Sequence, residues 1–344
     1  MSGLSPLWEL SLMRMRVLTR EPSTLFWVFA FPLLTSLALG VAFRNRELSR
    51  LQVSVADAPD ADAIVRQLDG VPGLAAERKP LAEAREDLRR GRAALVLVPG
   101  STPELIIDPT QPDGRTAKLM TLDALERMHG RADTLHAVEH ESTAPGSRYI
   151  DFLIPGLLGF GLLSTSLWGV GWALVQMRTG RLLKRLAATP MRRRDFLLSF
   201  LLMRVVLAVA EIGFFLGFSR LLFGVRVFGS TLSLGLFALA GSLSLAGLGL
   251  MVSSRAQNSE TASGLMNLVS MPMMALSGVF FSSSHFPGWS QPAIKLLPLT
   301  ALNDGLRAIM IDGASIASLG SHALVLAVWG AASFALSLRF FRWS

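Results

Sequence analysis

Long apolar runs with few or no charges are the feature that most constrains how this chain can fold. A helix that crosses the apolar core of a bilayer needs about 20 predominantly apolar residues. Six runs of roughly this length occur, at residues 24–43, 152–175, 196–218, 232–252, 265–281 and 319–338. Charged residues make up only 17% of the chain, whereas soluble domains carry about 25%. The sequence therefore predicts an α-helical polytopic membrane protein with six transmembrane helices.

The basic residues indicate how these helices are oriented. Four segments that alternate along the six runs carry a summed formal charge of +9, namely residues 1–23, 176–195, 253–262 and 339–344. Cytoplasmic loops are enriched in Lys and Arg. We therefore expect both termini to be cytoplasmic and the protein to be a multi-pass protein of a bacterial cytoplasmic (inner) membrane. Because the net charge of +8 is a topology signal, no nucleic-acid partner is predicted.

The chain before the first run has an amphipathic pattern. Within residues 1–23, apolar side chains recur at helical spacing and Trp8 lies among them, which predicts a helix in the membrane interface. Pro22 separates this helix from residues 24–43. The hydrophobic region of a cleaved signal peptide has about 7–15 residues, so residues 24–43 favour an uncleaved transmembrane helix 1.

Residues 44–149 are the only long polar stretch and predict an inserted small α/β extracytoplasmic domain. Apolar patterning indicates strands at 51–55, 93–98 and 105–107, short helices at 60–68 and 81–89, and a long helix at 113–139. In that long helix and just beyond it, His136 and His140 are four residues apart, but no carboxylate cluster accompanies them. We therefore expect a solvated helix face there, and no metal site is predicted.

The loop at 176–195 has a more specific pattern than its charge of +6 requires. Its helical spacing predicts that Arg178, Arg181 and Arg185 share one face of a short helix. Leucines at 182, 183 and 186 form an apolar ridge, and Pro190 ends the helix. Such an amphipathic helix is suited to dock a soluble partner.

The order of these parts resembles the permease subunit of ABC type-2 transporters, the ATP-binding-cassette exporters with six spans per half. The matching patterns are Arg20-Glu21-Pro22, the outer segment between spans one and two, Phe152-Leu153-Ile154-Pro155-Gly156, the loop from Gly180 to Arg194, and residues 276–307. That family's coupling loop often has acidic residues on both sides of the glycine, where this chain has Arg178 and Lys184.

The resemblance implies a division of labour between subunits. The chain lacks the Gly-x-x-x-x-Gly-Lys-Ser/Thr loop that binds nucleotide phosphates. No enzymatic activity and no cofactor are therefore expected in it, and ATP and Mg are expected on a separate cytoplasmic ABC ATPase. The residues expected to couple to that ATPase are Arg178, Gly180, Arg181, Leu182, Leu183, Arg185, Leu186 and Pro190.

The resemblance further implies that transmembrane helices 2–6 lie within residues 150–344 and that a second permease half, identical or paralogous, completes the pathway. Spans two and five line the route in related exporters, and an amphiphile such as a drug or lipid is the expected cargo of this efflux. A periplasmic adaptor and membrane lipids are further partners compatible with this reading. Candidate pathway residues are Phe152, Pro155, Glu211, Met271, Met274 and Phe280.

Two further polar features accompany the pathway. The resemblance implies that the proline-rich residues 282–318, which contain Pro298, form an outer re-entrant segment, and an ordinary outer loop is the alternative. Within this segment Asp304 and Arg307 are three residues apart and close enough to interact. In span three, Arg204 and Glu211 are separated by about 10.5 Å along the helix axis, so we expect each to find another partner.

Two other functions stay open at this point. An ion- or proton-coupled secondary transporter usually shows inverted repeats and several buried ionisable groups, whereas Glu211 is the only convincing buried acid here. A membrane-anchored sensor or assembly protein would use residues 44–149 as its working part.

Overall fold

The computed structural model describes residues 26–44, 50–100, 102–131, 146, 148–187, 193–254, 256 and 258–340. The chain divides into two compact units, each described here by itself. Residues 45–141 form the α/β unit, and residues 1–44 together with 142–344 form the helical unit. The interface helix expected within residues 1–23 lies outside the described residues.

The α/β unit contains a four-stranded sheet with helices between the strands. Its elements are β1 (Leu51–Ala56), α2 (Ala61–Asp69), β2 (Leu74–Lys79), α3 (Leu81–Arg89), β3 (Leu95–Val98), β4 (Glu104–Ile107) and α4 (Pro112–Met128), where α1 belongs to the helical unit. The strand order is β2-β1-β3-β4. Strand β1 is parallel to β2 and β3, and β4 is antiparallel to β3.

This sheet buries the alternating apolar positions that the sequence indicated. Val53 and Val55 of β1 are fully buried beside Leu95 and Leu97 of β3. Strand β2 was not predicted, because Glu77, Arg78 and Lys79 hide the pattern of a strand that has only one neighbour. The long helix predicted at 113–139 ends at Met128, and His136 and His140 lie outside the described residues.

In its described residues, the helical unit is built mainly from helices. Its helices are α1 (Phe31–Arg44), α5 (Tyr149–Ser164), α6 (Gly171–Thr179), α7 (Leu182–Ala187), α8 (Arg193–Phe223), α9 (Thr231–Ser253), α10 (Ser259–Leu276), α11 (Gln291–Lys295), α12 (Pro298–Met310) and α13 (Gly320–Phe340). A wider π turn, Phe26–Ala30, precedes α1, and another, Thr165–Val170, joins α5 to α6. Buried apolar side chains of α5, α8, α9, α10 and α12 share one core.

Within the described residues, four helices are long and apolar enough to cross a membrane. They are Tyr149–Thr179, Arg194–Phe223, Thr231–Ser253 and Ile316–Phe340, and they correspond to the second, third, fourth and sixth predicted spans. Helices α1 and α10, at the places of the first and fifth, are not among these four. The multi-pass helical architecture is therefore present, and the count of six spans stays a prediction.

The fifth predicted run needs a correction at its end. The side chain of Asn258 caps α10, because its Oδ1 accepts a hydrogen bond of 2.7 Å from the Thr261 amide. The helix then ends at Leu276 rather than at Phe281. Gly278 has a φ of 69°, in the left-handed region that favours glycine, so the chain turns there although the flanking residues are apolar.

Candidate functional site

The segment that connects α6 to α7 is the first part of the candidate site. Helix α6 ends at Thr179, the Gly180 amide donates to the Gln176 carbonyl at 2.9 Å, and Arg181 takes a left-handed φ of 57°. A new helix, α7, begins at Leu182. The prediction that Arg178, Arg181 and Arg185 share one helical face is therefore wrong, because this turn separates Arg178 from Arg185.

Arg178 binds the end of another helix. Its guanidinium donates to the carbonyl oxygens of Ser253 at 3.1 Å, Ser254 at 2.8 Å and Ala256, where α9 ends. The last carbonyls of a helix have no partner within the helix, and a positive charge is favourable there. A basic residue at this position therefore has a structural reason: it ties the α6–α7 segment to α9.

The leucines of α7 do not form one exposed ridge. Leu183 is buried in a cluster with Leu174, Phe196 and Leu250, which belong to α6, α8 and α9, whereas Leu182 is half-buried. Leu186 belongs to α7 by its backbone, and Pro190 lies outside the described residues. The side chains of Arg181 and Arg185 are exposed. This segment therefore presents basic side chains and uses Leu183 for packing; its docking role stays a prediction.

The second part of the candidate site is the chain after α10, named here the 277–281 turn. Three of its carbonyl oxygens accept hydrogen bonds from side chains of other elements. Asn303 Nδ2 donates to Ser277 at 2.8 Å, Arg307 donates to Gly278, and the Tyr149 hydroxyl donates to Phe280 at 2.7 Å. Because backbone that leaves a helix in an apolar environment must find such partners, α5 and α12 make this turn possible.

Arg307 connects this turn to α5. Its Nε donates to the Phe152 carbonyl at 3.3 Å, and its guanidinium lies 3.9 Å from the centre of the Phe152 ring. It also lies 3.7 Å from Asp304, so the predicted interaction between these two residues is present. A Cβ atom at Gly156 would lie 2.4 Å from the Val279 carbonyl oxygen, so this contact requires glycine.

The pathway candidates fall in different places. Two candidates have hydrogen bonds at the 277–281 turn: the Phe152 carbonyl accepts from Arg307, and the Phe280 carbonyl accepts from Tyr149. Pro155 is buried in α5. The other predicted residues differ in burial: Met271 is exposed, Met274 is half-buried, and Pro298 is buried in the first turn of α12. Sequence reasoning missed Asn303 and Tyr149, although an asparagine within an apolar helix and the chain's single tyrosine were visible signals.

A buried ion pair is the third part of the candidate site. Arg204 Nη1 lies 3.0 Å from Glu211 Oε2, and the two side chains are only 1% and 5% exposed. The expectation that these residues do not pair is wrong, because both lie on one face of α8 and their long side chains extend toward each other along the helix axis.

The ion pair belongs to a network that joins three helices. Arg204 Nε donates to the Ser242 hydroxyl of α9 at 2.6 Å, and the Thr165 hydroxyl donates to Glu211 Oε2 at 3.0 Å. Thr165 begins the π turn after α5, and the hydroxyl of its neighbour Ser166 donates to the Ser242 carbonyl at 3.1 Å. These polar groups therefore hold α5, α8 and α9 together at the π turn between α5 and α6.

The α/β unit carries a different set of charges. Lys79 Nζ and Arg92 bind the Asp87 carboxylate at 2.8 and 2.6 Å, and the hydrogen bond from Lys79 is the main cause that lowers the pKa of Asp87. The hydrogen bond from Arg89 lowers the pKa of Glu86 to about 2. In the described part of the chain, no group of His, Asp and Glu side chains is arranged to hold a metal ion.

Comparison with known proteins shows the family to which this chain belongs. Residues 22–339 match the family model described as "ABC-2 family transporter protein". The chain belongs to the ABC-2 transporter family. It is also similar to Nodulation protein J of Rhizobium meliloti (strain 1021), with 29% identity over 199 residues that cover 57% of this chain and 75% of that protein.

Membership confirms the family resemblance drawn from the sequence. An ABC-2 chain of this kind is the membrane permease component of an ABC transporter, not its ATPase, and it implies an ATP-binding partner subunit. The four apolar helices agree with a multi-pass membrane protein. The three features described above are therefore features of an ABC-2 permease.

Proposed function

We propose that this ABC-2 permease is one half of an ATP-driven exporter and that a separate cytoplasmic ATPase, which binds ATP and Mg, docks on the segment around α7. The observation that carries this proposal is how α7 is held. Arg181 and Arg185 are exposed, while Arg178 and Leu183 fix the same segment to the ends of α8 and α9. A force applied to α7 would therefore be transmitted directly to two apolar helices.

In this proposal both termini are cytoplasmic and the membrane is a bacterial inner membrane. Helices α1 and α10 serve as the first and fifth spans, residues 1–23 lie in the interface, and the α/β unit lies on the outer side. The charge of +6 within residues 176–195 supports placing α7 on the cytoplasmic side.

The second permease half, identical or paralogous, packs near α10 in this proposal. Leu265, Leu268 and Met271 of α10 are exposed in the single chain. An exposed apolar surface of this kind on a membrane helix is covered either by lipid or by another helix. The pathway would then pass the 277–281 turn, and the cargo would be an amphiphile such as a drug or lipid, with a periplasmic adaptor as a further partner.

Glu211 does not favour a proton- or ion-coupled carrier. It is held by Arg204 and Thr165, and carriers of that class usually use several buried ionisable groups. Family membership likewise favours a permease over a membrane-anchored sensor or assembly protein.

The docking proposal is tested by reversing the charge of α7. We expect the double variant Arg181→Glu/Arg185→Glu to lose co-purification with the co-expressed ATPase by at least about a hundredfold, since each of the two lost ionic hydrogen bonds costs about 1.5–3 kcal/mol. Arg226→Glu is the matched control, because this exposed arginine lies between α8 and α9, away from α7. Unchanged co-purification of the double variant would show that the ATPase docks elsewhere.

A further inference from the structure

Helices α8 and α13 each present an apolar face to the surroundings of the helical unit. In α13, Leu324, Val328 and Leu336 are exposed, and only 17% of the most apolar stretch of that helix is buried. In α8, Leu198 and Val209 are exposed. A face of this kind on a membrane helix lies against lipid chains or against another helix.

Each of these faces ends in an arginine. At about 100° per residue, Arg339 lies within about 60° of Val328 and Leu336 around the axis of α13. Arg194 likewise lies within about 60° of Leu198 around the axis of α8. Both arginine side chains are exposed. Each apolar face therefore continues into a positive charge at the end of its helix.

The two arginines flank one buried cluster and so lie at the same end of the helical unit. Phe196 of α8 is fully buried in this cluster with Leu250 of α9, and Leu338 of α13 packs against it. Arg194 precedes Phe196 by two residues, and Arg339 directly follows Leu338. One ligand at this end can therefore be contacted from both helices.

The positive charge at this end is only partly compensated within the described residues. Arg194 lies in the first turn of α8, where the helix dipole itself favours an anion. Its described carboxylate neighbour is Asp195, at 3.5 Å, and the Arg194 side chain stays 62% exposed. Arg339 has no ion pair among the described residues. An anion that also carries apolar chains would match both the charge and the adjoining faces.

We infer that Arg194 and Arg339 together bind the phosphate of phosphatidylglycerol, an anionic phospholipid whose acyl chains lie along the apolar faces of α8 and α13. Guanidinium groups bind phosphate oxygens through strong, often bidentate hydrogen bonds. The phosphatidylglycerol head group has a net negative charge, whereas phosphatidylcholine balances its phosphate with its own cation. Basic residues at the ends of membrane helices favour anionic head groups for this reason. The inference is separate from ATPase docking, which was assigned to the arginines of α7.

The test measures which lipid lies beside Leu336 in the full-length permease. The chain contains no cysteine, so Leu336→Cys carries a single fluorophore. The labelled permease is reconstituted without an ATPase in vesicles, where brominated phosphatidylglycerol or brominated phosphatidylcholine quenches the fluorophore. We expect phosphatidylglycerol to bind about 25-fold more tightly, since the two arginines contribute about fivefold each.

Two results of this measurement would overturn the inference. Equal affinity for the two lipids would show an unselective lipid surface. No quenching by either lipid would show that another protein chain, such as a second permease half, covers this face.

Variants of Arg194 test whether both helices contribute to one site. Arg194→Ala should lower the phosphatidylglycerol preference at the Leu336 probe about fivefold, although the two residues belong to different helices. Arg194→Lys should keep the preference, because the charge remains. Arg226→Ala is the control, since this exposed arginine lies beyond the opposite end of α8. An unchanged preference in Arg194→Ala, or an equal loss in Arg226→Ala, would overturn the shared site.

A second probe position tests whether the site is local. Leu324→Cys places the fluorophore on the same face of α13, about 18 Å from position 336 along the helix axis. We expect the phosphatidylglycerol preference there to be at least about tenfold weaker, since neither arginine lies at that end. Equal preference at the two positions would overturn a site formed by Arg194 and Arg339.

Discussion

The ion pairs of the two units look alike in distance and differ in burial. Arg204 and Glu211 in the helical unit are 3.0 Å apart with side chains 1% and 5% exposed. Arg89 and Glu86 in the α/β unit are 2.6 Å apart with side chains 74% and 33% exposed. Removing one partner of a buried pair leaves an uncompensated charge, whereas exposed pairs are screened by water. The burial of each pair, and not the distance between its charged atoms, therefore decides how strongly the loss of one partner lowers the stability of the protein.

The largest effect should come from breaking the buried pair. We expect Glu211→Ala to lower the free energy of unfolding by about 3–5 kcal/mol, because Arg204 then stays charged and buried. The measurement is unfolding of the purified protein in mixed micelles with increasing SDS.

The double variant Arg204→Met/Glu211→Leu sharpens the comparison. It removes both charges and should recover most of the stability lost in Glu211→Ala, since buried pairs are often replaceable by apolar residues of similar volume. If the double variant is as unstable as the single variant, the network stabilises the bundle through its hydrogen bonds to Ser242 and Thr165 rather than through charge pairing.

The next largest effect on stability should come from a substitution that changes no charge but disturbs the close packing at the 277–281 turn. Gly156→Ala would place a methyl group 2.4 Å from the Val279 carbonyl oxygen, and overpacking of this kind costs about 1–3 kcal/mol. Gly264→Ala is the matched control, because its Cβ would meet nothing within 4 Å and alanine favours the helix α10. Equal stability of the two variants in the same SDS titration would mean that α5 does not hold this turn.

The smallest effect belongs to the exposed pair. Hydrogen bonding to Arg89 lowers the pKa of Glu86 from 4.5 to about 2. Because the folded-state pKa is the lower one, the contribution to stability is present above pH 4.5 and is lost as the pH falls toward 2. We expect a carboxyl NMR titration of Glu86 to give a low pKa in the wild type and a value nearer 4.5 in Arg89→Ala. An unchanged pKa in that variant would show that Arg89 is not the cause.

Much of the architecture was predictable because it follows from apolar periodicity. Helices α8 and α9 lie where long apolar runs occur, and β1 and β3 lie where apolar residues alternate or cluster. The sequence did not reveal where α10 ends, because Val279 and Phe280 are as apolar as the helix before them. That end depends on partners from Asn303, Arg307 and Tyr149, which are distant in sequence.

The candidate site was predictable in its location but not in its side-chain roles. The loop at 176–195 was recognised by charge and leucine spacing, yet Arg178 and Leu183 face the bundle. A turn at Arg181 rotates α7 relative to α6, and residue spacing along one assumed helix cannot show such a rotation. The spacing of Arg204 and Glu211 does not predict their pairing, because spacing gives the separation along the helix axis and not the reach of the two long side chains.

The anchoring of α7 by Arg178 can be measured directly. The permease and the proposed ATPase are reconstituted in liposomes, and export of the proposed amphiphilic cargo per ATP hydrolysed is compared between wild type and Arg178→Ala. Because the variant loses the contacts to the end of α9 but keeps Arg181 and Arg185, ATPase binding should persist while export per ATP falls about tenfold. Wild-type export per ATP in Arg178→Ala would contradict transmission of the motor's movement through this segment.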